Sequence, residues 1–377
     1  MNRKFKISLL TILSAVTVSF AQQPGILDFS YNSSDMGLNT GDGASNNVRA
    51  SIVQPDGKII IAGDFTSYNS TIGINRIVRL NADGSIDATF NAGTGANGIV
   101  YAMALQSDGK IVIGGEFKTI NAVSRTRIAR LNTDGSLDVT FNPSSGADST
   151  VFSIALTSSE KVVIGGLFSN VNSVGRNRIA LLGSDGSSDL SFDPGTGAGG
   201  TSNAVRTCLV DASDKIIVSG DFTTYNGTGR NRITRINIDG SIDATFSPGT
   251  AANGSIQTAA LQPDGRIIIG GSFTNYAGTA RARIARINSN GSIDGTFTPG
   301  AGANNTVRTL ALQPDGKIIV GGQFTAFNGG SAVRIIRVNS NGTVDGTLNS
   351  GLGANNTILA LNVLSSGKII MAGSFTS

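Results

Sequence analysis

The 377-residue sequence has no histidine and no tryptophan, and it has a single cysteine. Without histidine, no Ser-His-Asp or Cys-His catalytic system can form. Zinc sites built from histidine and cysteine are excluded on the same ground. Cys208 has no second cysteine to pair with, so an internal disulfide is ruled out. It stands where other repeats carry Met103 or Leu310, and it is expected to behave as a small buried hydrophobe. Charge is sparse, at 14% of residues, and long apolar runs are missing from all but the N-terminus. There Ile7 to Phe20 is apolar but too short to span a bilayer well.

That apolar stretch follows Arg3, Lys4 and Lys6 and ends in Ser19-Phe20-Ala21, with small residues where a signal peptidase reads them. Residues 1–21 are therefore expected to be a secretory signal peptide, cut between Ala21 and Gln22. No cysteine follows the cut, so a lipoprotein is not expected. Its loss takes the 29 basic residues to 26, against 25 acidic ones. The mature chain then carries +1 rather than +4, and nucleic acid is not an expected partner. No further segment reaches the length of a membrane span.

What the chain has in quantity is glycine, 50 residues, within 39% hydrophobic residues. Glycine and proline follow no three-residue period, which excludes collagen. A segment of the form Ile-Ile-Ile-Gly-Gly-x-Phe-Thr recurs instead. Its phenylalanines are Phe65, Phe117, Phe168, Phe222, Phe273, Phe324 and Phe375, at spacings of 52, 51, 54, 51, 51 and 51. A near-fixed period of this length marks stacked units that pack on their neighbours.

Each unit reads as four short antiparallel strands. In the sixth, strand A is Val307 to Leu312, strand B Lys317 to Phe324, strand C Arg334 to Asn339 and strand D Thr343 to Asn349. Asp-Gly pairs such as Asp56-Gly57 and Asp83-Gly84 sit at the A–B and C–D junctions, where type I′ turns are expected. Strand B is continuously apolar, as a strand covered on both faces should be. Its paired glycines, such as Gly114-Gly115, suggest a closely approaching backbone. Together these predict an all-β fold, a seven-bladed β-propeller of four-stranded blades. Leu27-Asp28-Phe29-Ser30-Tyr31-Asn32 matches the D segment and is expected to join the C-terminal strands in a seventh blade shared between the two ends. That blade lacks a strand C before Ser377, so a fragment of a longer protein is the favoured reading.

Residues 48–377 resemble the delta-60 repeat, a bacterial β-propeller family. The resemblance is carried by Leu312-Gln313-Pro314-Asp315-Gly316-Lys317-Ile318-Ile319-Val320-Gly321-Gly322 and by Arg283-Ile284-Ala285-Arg286-Ile287-Asn288. The third repeat departs, with Ser159-Glu160 in place of Asp-Gly and Leu181 in place of arginine. The resemblance implies an exported protein, often large and often carrying other surface modules or a C-terminal sorting domain. It implies no particular activity and no catalytic residue.

Several clusters of polar residues recur with the repeat. Asn81-Ala82-Asp83-Gly84-Ser85-Ile86-Asp87 alternates oxygen side chains, as do runs from Asn132, Asn237, Asn288 and Asn339. Ca²⁺ is the cation such runs would suit, but the distal bidentate glutamate is missing, and no cofactor is expected. The recurring Arg76, Arg127, Arg178, Arg232, Arg283 and Arg334, with Asp28, Asp87, Asp138, Asp189, Asp243, Asp294 and Asp345, read as structural partners. A two-residue turn at Asp83-Gly84 would set Arg79 opposite Ala88, so the aspartate's partner is expected from an adjacent blade. Gly195 to Gly200 formally matches a dinucleotide fingerprint but opens no helix, and it reads as a blade connector.

The second position of strand A varies where the rest repeats. It is Arg49, Tyr101, Phe152, Arg206, Gln257, Arg308 and, in the seventh unit, Leu359. In a propeller this position lies at the mouth of the central channel, on the face that carries the long B–C and D–A loops. Arginine beside aromatic rings can hold a carboxylate, a glycan or a peptide. The expectation is a monomeric binding or structural module, secreted or at the cell surface, with an extracellular protein or glycan as partner. A glycan hydrolase or lyase working through aspartates is the alternative.

Overall fold

The computed structural model describes residues 43–348 and 350–376. The expected signal peptide and the Leu27–Asn32 segment lie outside the described residues. All regular structure among the described residues is β.

Strands A and B match the reading closely. Strand A of the sixth unit spans Val307–Leu312 and strand B spans Ile318–Gly322, with strand C at Ile335–Val338. Each of six units is a three-stranded antiparallel sheet in the order A-B-C. The seventh holds strands Ile358–Val363 and Ile369–Gly373. The B–C connection is not plain loop. It folds into a two-residue hairpin in most units, such as Ser67–Tyr68 with Thr71–Ile72.

The fourth strand contracts to a single bridged residue, Leu80↔Ile86 in the first unit and Ile287↔Ile293 in the fifth. The cause is local. Asp87 Oδ1 accepts the Thr89 N–H at 3.0 Å and its hydroxyl at 2.7 Å, and Phe90 N–H bonds to the Asp87 carbonyl. A short polar side chain that hydrogen-bonds the following backbone diverts the chain into a turn.

The tight junctions are not type I′ turns. Gly57 N–H bonds to the Gln54 carbonyl at 2.9 Å and Gln54 N–H to the Lys58 carbonyl at 2.8 Å, closing a three-residue loop. Within that loop only Gly57 takes a positive φ, of 84°. This is a type I turn followed by a left-handed residue. The same pattern closes the C–D junction at Gly84. In the third and fourth units Glu160 and Asp214 occupy that left-handed position. Each compensates by accepting a backbone N–H from the preceding unit, Ser107 and Ser158 respectively.

Strand B is buried along its length in the six complete units, in accord with its unbroken apolar sequence. The core lies between successive sheets. Ile60, Ala62 and Ile77 of the first unit pack with Ile111, Ile113 and Ala129 of the second. Full burial of one such isoleucine contributes about 1.5–3 kcal/mol. A single sheet exposes both apolar faces, so no unit is stable apart from its neighbours. The last interface closes the series, because Ala360 and Ala372 share a cluster with Val48, Ile59 and Ile61. The seven A strands thus adjoin one another in a ring around one axis, with Ile358–Val363 against Val48–Val53. Asn362 Nδ2 also donates to the Ser51 carbonyl at 3.0 Å across this join.

Candidate functional site

Every A–B pair breaks register at one place. Val48 pairs with Gly63 and Ala50 with Ala62, leaving Arg49 as the extra residue of a bulge. The equivalent bulges leave out Tyr101, Phe152, Arg206, Gln257, Arg308 and Leu359. These are the variable positions of the sequence. A bulge frees a residue from the ladder and re-aims its side chain. The geometry depends on the second glycine of the pair. A Cβ on Gly115 would lie 2.0 Å from the Ile99 carbonyl oxygen, and one on Gly63 would lie 2.0 Å from that of Asn47. The close backbone approach suggested by the paired glycines is therefore within one blade, at the entry to its own strand A.

The ring brings these distant residues side by side. The Arg49 guanidinium lies over the Tyr101 ring, 5.0 Å from its centroid. Tyr101 meets Phe152 edge to face at 5.3 Å. Arg206 lies over Phe152 at 4.6 Å. Arg308 Nη1 donates to Gln257 Oε1 at 3.1 Å. Residues at the end of strand B form a second tier. Asp64 bridges Arg49 at 2.6 Å and Asp221 bridges Arg206 at 2.9 Å. Tyr101 donates its hydroxyl to Glu116 at 3.1 Å. Ser255 donates to Asp221, and Gln257 Nε2 donates to Ser255 Oγ at 2.6 Å. The result is a continuous belt from Asp64 to Gln323 across six units, interrupted at Leu359 of the seventh.

Electrostatics follow the partners. The hydrogen bond that Arg49 donates to Asp64 raises the pKa of Arg49. Burial works against the charged Asp64, but Arg49 and Asn47 outweigh it and its carboxyl is held below the usual range. Arg308 differs: burial, then the like charges of Arg206 and Arg49, lower its pKa. Asp64 therefore stays ionised as an acceptor, a state that suits a salt bridge and not a proton donor.

The recurring aspartates occupy the opposite, tight-turn face, whereas the arginines that open strand C lie at the long-loop end. Arg79 Nε donates to Asp87 Oδ2 at 2.7 Å within the same blade, not across blades as the two-residue turn implied. The three-residue turn shifts register by one, so Arg79 and not Leu80 faces Asp87. Arg79 Nη1 does reach the next blade, donating to the Thr133 carbonyl at 2.7 Å. Lys58 adds a second bond to Asp87 at 2.8 Å. The arginines that open strand C hold left-handed backbone, with φ of 70° at Arg76 and 66° at Arg127. Arg127 Nη1 caps the Ala147 carbonyl at 2.8 Å, and Arg178 caps Phe168 at 3.0 Å.

In the Asn81–Asp87 run, Asp83 Oδ1 accepts from the Ser85 N–H at 3.0 Å and hydroxyl at 2.7 Å, so the run's oxygens are spent on the turn. Among the described residues, no three cysteine, aspartate or glutamate side chains are grouped to hold a metal. Gly195–Gly200 connects two blades, with Ala198 and Gly199 paired to Tyr225 and Thr224. Cys208 is buried, and burial pushes its thiol pKa up to about 12.

Comparison with known proteins places this architecture. A family profile described as a domain of unknown function (DUF5122) beta-propeller matches six stretches: 54–90, 106–141, 158–192, 212–246, 262–297 and 313–347. The chain belongs to the DUF5122 β-propeller family. Each match runs from the A–B turn to the phenylalanine or threonine that ends the D segment. No curated protein matches the sequence. Among solved structures, the WD40 β-propeller domain of Doa1 is similar with a TM-score of 0.60 at 15% identity, over 93% of each chain. The catalytically inactive histidine-to-alanine variant of virginiamycin B lyase from Staphylococcus aureus has a TM-score of 0.57 at 18% identity, covering 90% of this chain and 94% of that one. The extracellular domain of a one-component system from B. thetaiotaomicron has a TM-score of 0.52 at 16% identity, covering 90% of this chain but 39% of that one. At these identities the likeness is one of fold.

Proposed function

We propose that this DUF5122 propeller is an exported binding module, at the cell surface or outside the cell, which takes its ligand on the long-loop face at the mouth of the ring. The observation that carries the reading is the belt. Six bulge residues, Arg49, Tyr101, Phe152, Arg206, Gln257 and Arg308, are half-buried and joined by stacking or hydrogen bonds although about 50 residues separate each from the next. Variation concentrated on a rigid repeated scaffold is the usual basis of recognition. Export is supported by the sequence of residues 1–21 and by the similarity to an extracellular bacterial domain. We also propose a seventh blade completed by the Leu27–Asn32 segment, membership of the delta-60 repeat group, and a monomeric module with a protein or glycan partner.

The enzyme reading is weaker. The lyase of the same fold is inactive once a histidine is replaced, and this chain has no histidine. The recurring aspartates with resolved partners are committed to lysine or arginine. Glycan and protein arrays probed with the purified chain test the proposal. Binding that is lost in Phe152→Ala and Arg206→Ala is the expected result. Turnover of a polysaccharide, abolished by Asp→Asn changes, would replace it with the hydrolytic reading.

A further inference from the structure

One sector of the mouth is unlike the rest. The B-end positions carry carboxylates in the first, second and fourth units (Asp64, Glu116 and Asp221), but Ser272, Gln323 and Ser374 in the fifth, sixth and seventh. Arg308 therefore faces neutral partners. Its Nη1 donates to Gln257 Oε1 at 3.1 Å and its Nη2 to Gln323 Oε1 at 3.4 Å, and its Nε is buried without a hydrogen bond. Among the described residues it takes part in no salt bridge, whereas Arg49 and Arg206 each hold an aspartate. A guanidinium has five N–H donors, so most of those on Arg308 are unspent.

The entries to the strands add to this. Two residues before strand A stand Asn305, Asn356 and Asn46 in the sixth, seventh and first units, and all three are exposed. Each turns its Oδ1 back onto the next backbone N–H: Asn46 to Asn47 at 2.8 Å, Asn305 to Thr306 at 2.7 Å and Asn356 to Thr357 at 2.7 Å. The acceptor of each amide is thus engaged locally, which leaves the NH₂ group as the free end. Glycine holds this position in the second and fifth units (Gly98 and Gly254), serine in the third (Ser149) and a half-buried asparagine, Asn203, in the fourth. The three exposed asparagines and the uncompensated arginine fall in adjoining units, around the interruption of the belt at Leu359. The sector offers hydrogen-bond donors and a positive charge, and its one B-end carboxylate, Asp64, is already held by Arg49 and Asn47.

We infer that the sector spanning the sixth, seventh and first units is an anion subsite, in which Arg308 pairs with a carboxylate of an acidic glycan and the amides of Asn305, Asn356 and Asn46 bond its ring oxygens and hydroxyls. The inference rests on the binding reading above and names its ligand class. A carboxylate matches the planar guanidinium and restores the charge balance that Asp64 and Asp221 provide elsewhere. A glycan fits better than a peptide because the free ends are single amide donors on separate strand entries, which suit dispersed hydroxyls and ring oxygens better than a continuous backbone.

The test measures binding of oligogalacturonate to the purified chain by calorimetry, with its methyl ester and an oligoglutamate peptide as comparison probes. Oligogalacturonate should bind, and esterification should weaken it by about tenfold or more. Arg308→Gln should cause a similar loss with an unchanged melting temperature, and Asn305→Ala with Asn356→Ala a smaller one. Affinity should fall with added salt. No binding of oligogalacturonate, equal binding of the ester, an unaffected Arg308→Gln variant, or tighter binding of oligoglutamate each overturns the subsite. If arrays still return a ligand that Phe152→Ala and Arg206→Ala abolish, the binding module stands and only this ligand class falls.

Discussion

Arg130 and Asp138 face each other within one blade, Nε to Oδ2 at 2.8 Å, and both are buried. Lys110 bonds the same carboxylate oxygen at 3.0 Å, and Arg130 Nη1 reaches on to the Ser184 carbonyl of the next blade at 2.7 Å. One aspartate thus ties strand B, strand C and the neighbouring blade together. Removing one member of such a buried set leaves its charges unpaired, which costs about 3–5 kcal/mol. Asp138→Asn should therefore lower stability by roughly 3 kcal/mol in urea unfolding. The third blade is a natural comparison, because Leu181 replaces the arginine and Asp189 keeps Lys161. Asp189→Asn should cost less, and an equal cost would show that the arginine adds nothing.

The same carboxylates set an acid limit. Burial opposes their charged form, but lysine, threonine and arginine bonds outweigh it and hold Asp87, Asp138, Asp243 and Asp345 far below the usual range, with Asp294 at about 2. A depressed native pKa gives stability that is present above the unfolded value and lost as pH falls toward the native one. Melting temperature should hold from neutrality down to about pH 4 and fall steeply between about pH 4 and 2. Circular dichroism melts across this range would show no such break if the pairs were unimportant.

The two glycines at the end of strand B should differ sharply. At Gly115 a Cβ would meet the Ile99 carbonyl at 2.0 Å, a backbone atom that cannot yield without losing the bulge. At Gly114 it would meet Val151 Cγ1 at 2.7 Å, a side chain that can shift, and Ala62 and Ser219 fill that position in other blades. Gly115→Ala should cost more than about 3 kcal/mol or prevent folding, and Gly114→Ala about 1 kcal/mol. Equal urea midpoints would count against the backbone account.

The mouth residues should matter little to the fold. Arg206 and Arg49 keep 33% and 28% of their side chains exposed, at the outer end of bridges to more deeply set aspartates. Such pairs contribute about 0–1 kcal/mol. Alanine at either position should change stability by no more than about 1 kcal/mol. A much larger loss in thermal unfolding would make the belt a structural device instead of a recognition surface.

Cys208 should be inert in the native protein. Its thiol is buried and its pKa is pushed up to about 12, and only the thiolate is an effective nucleophile. Alkylation by iodoacetamide at neutral pH should await unfolding, and stoichiometric labelling of the folded chain would contradict its burial.

The sequence alone determined the parts that depend on near neighbours. The 51-residue period, the apolar strand B and the bounds of strand A at Val307–Leu312 were all legible, because burial on two faces and tight turns leave a direct mark on residue order. The set of variable residues was legible too, as the positions at which a repeat departs from itself. The tertiary structure decided the rest. Asp83-Gly84 is compatible with a two- or a three-residue turn, and only the backbone path selects the latter; that one residue moves Arg79 from Ala88 to Asp87. Strand D shrank to one bridge because Asp87 bonds Thr89 locally, in competition with the ladder. That Arg49, Tyr101, Phe152 and Arg206 form a belt, and that Arg308 has no acidic partner in it, follows from ring closure. Closure is a long-range contact between Ala360 and Val48 through a shared core, and no local pattern around either residue encodes it.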